Sequence, residues 1–224
     1  MYQLPESLNP GNEADALAFL RRYYGKESGK GRYTGSHFDG WGRDNDPYRF
    51  TAEDLVAVTF LSVVVKPLAA HAVLEARADD FSALLRDVDP DQHLVDVDQE
   101  FTDAHPAWRL DSALRALKLG IGRTISSKLL ARKRPHLVPI YDSVVGQLTG
   151  CESGAQWEPL RRLLRSDDSR LYRRLLDLRD AADLNDTVPA LRVYDVVCWM
   201  EGKETKKLSP TAEDELIGAQ LTDD

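Results

Sequence analysis

From residue 118 to 145 the chain reads KLGIGRTISSKLLARKRPHLVPIYDSVV, and this stretch concentrates the residues with the clearest capacity for chemistry. Gly120 and Gly122 flank Ile121 in a short connection between two helical patterns. Glycine accepts a positive φ and leaves its amide uncovered, so such a turn lets a helix N-terminus approach a phosphate closely. A basic helix is expected next, over about 123–133. Arg123, Thr124, Lys128, Arg132, Lys133 and the adjoining Arg134 would then meet a phosphate together with the helix dipole and the free amides. The same two glycines also suit a plain helix–helix connection, and both readings stand on the sequence alone.

Asp142 follows Tyr141 at the head of another short helical pattern. A carboxylate there can activate water or stabilise a developing positive charge, or it can simply cap the helix that starts at Ser143. If a nucleic-acid base were drawn out of its stack, Tyr141, Trp41, Tyr33 and Phe38 are the aromatic candidates to hold it. Aromatic residues in a loop also serve as anchors to a core. His136 lies among the cations, but the histidines show neither HExxH nor another metal-ligand spacing, so no catalytic metal is expected.

The elements that must position these residues read as helices almost throughout. Apolar residues recur at three and four spacing beyond residue 50, strand signals are nearly absent, and the expected fold is all-α. Helices are expected over about 12–24, from Thr51 through FTAEDLVAVTFLSVVV, and over 68–86, with Thr51 and Asp54 in a near capping box and Pro67 opening the third. Further helices are expected over HPAWRLDSALRALKL, 123–133, 143–149, 157–165, 169–182, 188–200 and 211–220. The apolar run beginning at Leu55 is expected to form a central helix. Residues 26–50, rich in glycine and aromatics, read as an ordered irregular loop. GKESGKGR inside it fails as a phosphate-binding loop on spacing and on the missing Ser or Thr. The organisation expected is one lobe from both chain ends, 1–25 plus 138–224, and a second lobe, 51–137, that carries the hairpin.

Composition bounds the function classes. The 224 residues carry a net charge of −8, yet the segment from Arg109 to Tyr141 holds eight basic residues against Asp111. Such segregation suits a basic footprint on an acidic protein, although a solvated helix face produces it too. The arginines between 161 and 179 alternate with aspartates and read as a salt-bridged face. Two cysteines, Cys151 and Cys198, cannot supply an iron–sulfur cluster or a disulfide framework. The longest apolar run is too short for a membrane span, and a cytoplasmic protein is expected.

On these residues the chain resembles the helix-hairpin-helix base-excision DNA glycosylases of the endonuclease III and MutY type. Leu119-Gly120-Ile121-Gly122 stands where those enzymes have their hairpin, and VPIYDSVV resembles the segment that carries their aspartate, 20 residues beyond Gly122. The resemblance is strongest over 113–146 and extends to EDLVAVTFLS. It implies a two-lobed helical fold, DNA as partner, Asp142 as the catalytic carboxylate, and a hairpin whose carbonyls hold a monovalent cation. Leu119 replaces the family's proline, and Thr124 stands where the bifunctional enzymes have a Schiff-base lysine. The implied activity is therefore at most monofunctional hydrolysis of an N-glycosidic bond. Ile125-Ser126 and Val63-Val64 depart from the family pattern as well, which keeps open a non-catalytic nucleic-acid-binding or protein-interaction module on the same fold. The wording KLLARKRP…PIYDSVV is also similar to an uncharacterised bacterial family, which supplies no activity.

Overall fold

The computed structural model describes residues 2–27, 31–42, 44–151 and 155–205. Among them the chain is all-α, with no strand. The helices are α1 (Glu13–Tyr23), α2 (Ala52–Thr59), α3 (Pro67–His71), α4 (Ala78–Arg86), α5 (Pro106–Ala116), α6 (Arg123–Lys133), α7 (Ser143–Thr149), α8 (Trp157–Ala181) and α9 (Ala190–Thr205). The helix expected over 211–220 lies outside the described residues.

The central helix is α9, not the apolar run beginning at Leu55. Every residue from Ala190 to Cys198 is buried, and α9 packs against α1, α7 and α8. It thereby ties the start of the chain to its later part. The middle of the chain packs among itself, α5 on α4 and α6, and α6 on α2. One contiguous apolar core, with Leu20, Leu114, Leu129, Val145, Leu164 and Val196 inside it, runs through both groups.

Helix α2 starts as its sequence dictates. Thr51 and Asp54 form the capping box, with the Thr51 amide donating to Asp54 Oδ2 at 2.9 Å. It stops at Thr59, well short of the expected FTAEDLVAVTFLSVVV helix. Ser62 takes a positive φ of 57°, and the β-branched run Val63–Val65 favours extended backbone over a continued helix. The turn this creates carries Leu61 toward α6 and leaves Val64 69% exposed.

The expected 68–86 helix is three pieces. Pro67 occupies the first turn of α3, a π-helical turn spans Ala72–Ala76, and Arg77 (φ −125°) separates it from α4. Helix α8 contains the break expected between 165 and 169. Ser166 is extended (ψ 156°), and Asp167, Asp168 and Ser169 all have positive φ, which divides its two straight segments. The described parts of the 26–50 segment, 26–27, 31–42 and 44–50, are irregular apart from a 3-10 turn at Thr34–His37, as the composition implies. No described helix is long and apolar enough to cross a membrane.

Candidate functional site

The hairpin forms at the expected residues. After α5, Lys118 adopts a positive φ of 53° and Gly120 one of 91°, and Gly122 is the extended N-cap residue of α6. Gly120 needs its glycine because its φ disfavours L side chains; the exposed Lys66 stem, 3.1 Å from where a Cβ would lie, passes close over it. Ile121 is buried and pins the hairpin to the core, whereas both glycines are exposed and Gly122 faces open space. No side chain caps α6, so its N-terminal turn begins at the uncovered Gly122. Lys66 and Lys118 are exposed at the same corner, Thr124 is half-buried, and the Arg123 guanidinium lies over the Trp108 ring at 5.5 Å.

The rest of the basic helix corrects the sequence reading. Lys128, Lys133 and Arg134 are buried, and the Arg132 side chain is nearly so. Lys128 Nζ donates to the Leu61 carbonyl at 2.8 Å and lies 3.6 Å from Asp142 Oδ2. Lys133 Nζ is paired with buried Asp54 at 2.6 Å and donates to the Asp46 carbonyl. Arg132 donates to the carbonyls of Phe38 (2.7 Å) and Trp41 (2.5 Å). Arg134 spreads its donors over the carbonyls of Leu85, Pro47, Val88 and Lys133. Arg132, Lys133 and Arg134 hold the backbone at Phe38, Trp41, Asp46 and Pro47 and the end of α4 against α6, and Lys128 holds the turn after α2. A buried charge is tolerated when its donors find partners, and here protein oxygens take most of those donors in place of a phosphate.

Asp142 is the N-cap of α7. Its Oδ1 accepts from the Val144 amide at 2.8 Å, its Oδ2 faces Lys128, and its side chain remains 22% exposed. The Tyr141 amide donates to Ser127 Oγ at 2.9 Å, which clamps the segment before Asp142 onto α6, one turn beyond the hairpin. Burial lowers the Lys128 ammonium pKa, and Asp142 opposes that shift.

Beneath this pair lies a polar cluster that the sequence analysis did not single out. Arg192 on α9 is paired with Asp195 and, at 3.1 Å, with Asp39; it also donates to Tyr23 Oη (2.8 Å) and the Gly35 carbonyl (2.9 Å). Burial pushes the Asp195 carboxyl up from 3.8 to about 6, against the pull of Arg192 and with Asp142 adding to the rise. An arginine and an aspartate three apart inside LRVYDVVCWM were the available signal, because charges at that spacing in an apolar helix must be paired.

The aromatic candidates separate. Tyr33 stacks on Tyr23 and meets Trp199 edge-on, and Phe38 is buried beneath the Arg132 and Arg192 guanidiniums, so both anchor the loop. Trp41 is 44% exposed and rests edge-on against Phe60. The ring of Tyr141 packs against α7 at Gly146, where a Cβ would lie 3.0 Å from it. A monovalent cation on the hairpin would have to share carbonyls such as that of Gly122 with the Ser126 amide of α6. Among the described residues there is no cluster of His, Cys, Asp and Glu suited to a metal ion.

No curated protein and no solved structure matches the chain. Residues 16–202, most of its length and all of the features above, match a family of unknown function, and the chain belongs to that family, DUF6308.

Proposed function

We propose that this is a two-lobed DNA-binding helix-hairpin-helix protein that grips the phosphate backbone with residues 118–124 and hydrolyses the N-glycosidic bond of a damaged or modified base. The observation that carries the reading is the position of Asp142: a partly exposed carboxylate, fixed by Val144 and Lys128, on the segment clamped to α6 just past the open hairpin. As the base leaves C1′ of the deoxyribose, Asp142 would stabilise the positive charge on the sugar and take the proton from the water that forms the new C–O bond. Thr124 offers no amine. Lys128, the amine nearest Asp142, is engaged by the Leu61 carbonyl, which favours water over a protein amine as nucleophile. Trp41 and Tyr141 are the aromatic residues left to contact a displaced base.

The backbone grip narrows to the amides of Gly120 and Gly122 with Lys66, Lys118, Arg123 and Thr124. A second reading, a nucleic-acid-binding module without chemistry, is favoured by the fact that capping and the Lys128 pair already account for both Asp142 oxygens.

Asp142→Asn separates the two: asparagine keeps the helix cap, and a melting curve of the variant checks that losing the charge facing Lys128 leaves it folded at the assay temperature. Oligonucleotides carrying a panel of altered bases, incubated with protein and then cleaved by alkali at abasic sites, should yield a product that the Asn variant lacks. Intact DNA binding with no product across the panel would establish the module and overturn the glycosylase.

A further inference from the structure

Away from the hairpin, α1 and the second segment of α8 leave a groove of about 460 Å³ between them. Glu13 sits beside Arg174 (3.6 Å) and Arg21 donates to the Ala181 carbonyl (3.0 Å), so the two helices run in the same direction along it. Its walls are Ala14 and Leu17 on one side and Leu178 and Ala181 on the other. The groove exists because alanines stand where larger side chains would meet. The Arg21 bridge closes one end. At the other, Arg170 and Arg173 are exposed and have no hydrogen-bond or ion-pair partner among the described residues. Arg174, by contrast, is engaged by Glu13 and by the Leu8 carbonyl.

We infer that this groove docks an acidic amphipathic helix of a partner protein, with aliphatic side chains one turn apart between the two alanine–leucine walls and its carboxylates on Arg170 and Arg173. The complementarity of charge selects this occupant. Two guanidiniums three residues apart on one helix face repel each other, and in a protein of net charge −8 they stand out as uncompensated cations over an apolar floor. Of the remaining ionisable side chains of the lining, Glu13 is held by Arg174 and Asp177 offsets one charge, so the three arginines leave the lining net positive. The geometry selects a helix: the α8 lining from Arg170 to Ala181 runs about 16 Å, some three turns, opposite Glu13, Ala14 and Leu17 of α1.

The test uses the full chain and a fluorescein-labelled, end-blocked dodecapeptide with two glutamates ahead of a leucine and an isoleucine at helical spacing. Fluorescence anisotropy should report saturable binding that weakens with salt. R170E/R173E should weaken it about tenfold or more. Ala14→Leu, which fills the groove from an exposed position, should abolish binding without lowering the melting temperature. No saturable binding, or binding that both variants leave unchanged, overturns the inference.

Discussion

Lys128 Nζ lies 2.8 Å from the Leu61 carbonyl and 3.6 Å from Asp142 Oδ2, so one amine on α6 joins the turn after α2 to the N-cap of α7. The sequence places Lys128 in a basic helix that faces phosphate. In the fold the same charge is turned inward and fixes the candidate catalytic carboxylate from behind. Replacing it with methionine keeps the stem and removes the charge. Lys128→Met should cost about 3 kcal/mol in urea unfolding, the scale for breaking a buried pair. A loss under about 0.5 kcal/mol, as for an exposed lysine, would contradict this assignment.

Asp54 does two jobs. It caps α2 through the Thr51 amide, and it neutralises Lys133 at 2.6 Å with both side chains buried. Asp54→Ala strands a buried ammonium and uncaps the helix together, for an expected loss of about 4 kcal/mol. Lys118→Ala, exposed at the hairpin, should change stability by no more than about 0.5 kcal/mol. Denaturant midpoints of the two variants compare them directly, and equal effects would reverse the division between structural and surface cations.

The Asp195 carboxyl, raised from 3.8 to about 6, gives stability a pH dependence of definite sign. Between those values the folded protein keeps a proton that the unfolded chain has released. Folding therefore weakens as pH rises through this window, by an amount on the order of 3 kcal/mol once both states are ionised. Asp195→Asn cannot ionise and lacks this slope. The stability of the Asn variant relative to wild type should increase steadily from about pH 4 to pH 6, then level off. A difference constant across that range would show that Asp195 is ionised throughout.

Much of the fold was legible locally. The Thr51–Asp54 capping box, Pro67 and Pro106 at helix starts, the irregular backbone described over 31–42 and 44–50, and the Gly120–Gly122 turn all follow from side chains within a few residues of one another. The end of α2 was less legible, because apolar residues at helical spacing concealed a β-branched run that prefers extended backbone. The fate of the α6 cations could not be read locally at all. Apart from Asp142, which faces Lys128 from the same stretch of sequence, their partners are Asp54 and the carbonyls of Phe38, Trp41, Asp46, Pro47, Leu61, Leu85 and Val88, many tens of residues away. A charge count cannot distinguish a solvated cation from one that closes a loop. The Arg192–Asp195 pair was legible in principle, since two charges on an otherwise apolar helix imply each other.

The central claim is that the hairpin corner, and not the body of the basic helix, meets the phosphate backbone. The direct test is the salt dependence of binding to a labelled DNA duplex between about 50 and 200 mM salt, compared across two sets of variants. Neutralising Lys66 and Lys118 together should reduce the slope of log K against log salt by about two and weaken binding to all sequences alike. Arg170→Ala/Arg173→Ala, on the far face, should leave the slope unchanged. Wild-type binding that is flat in salt, or a slope that only the far-face variant reduces, would contradict the assignment.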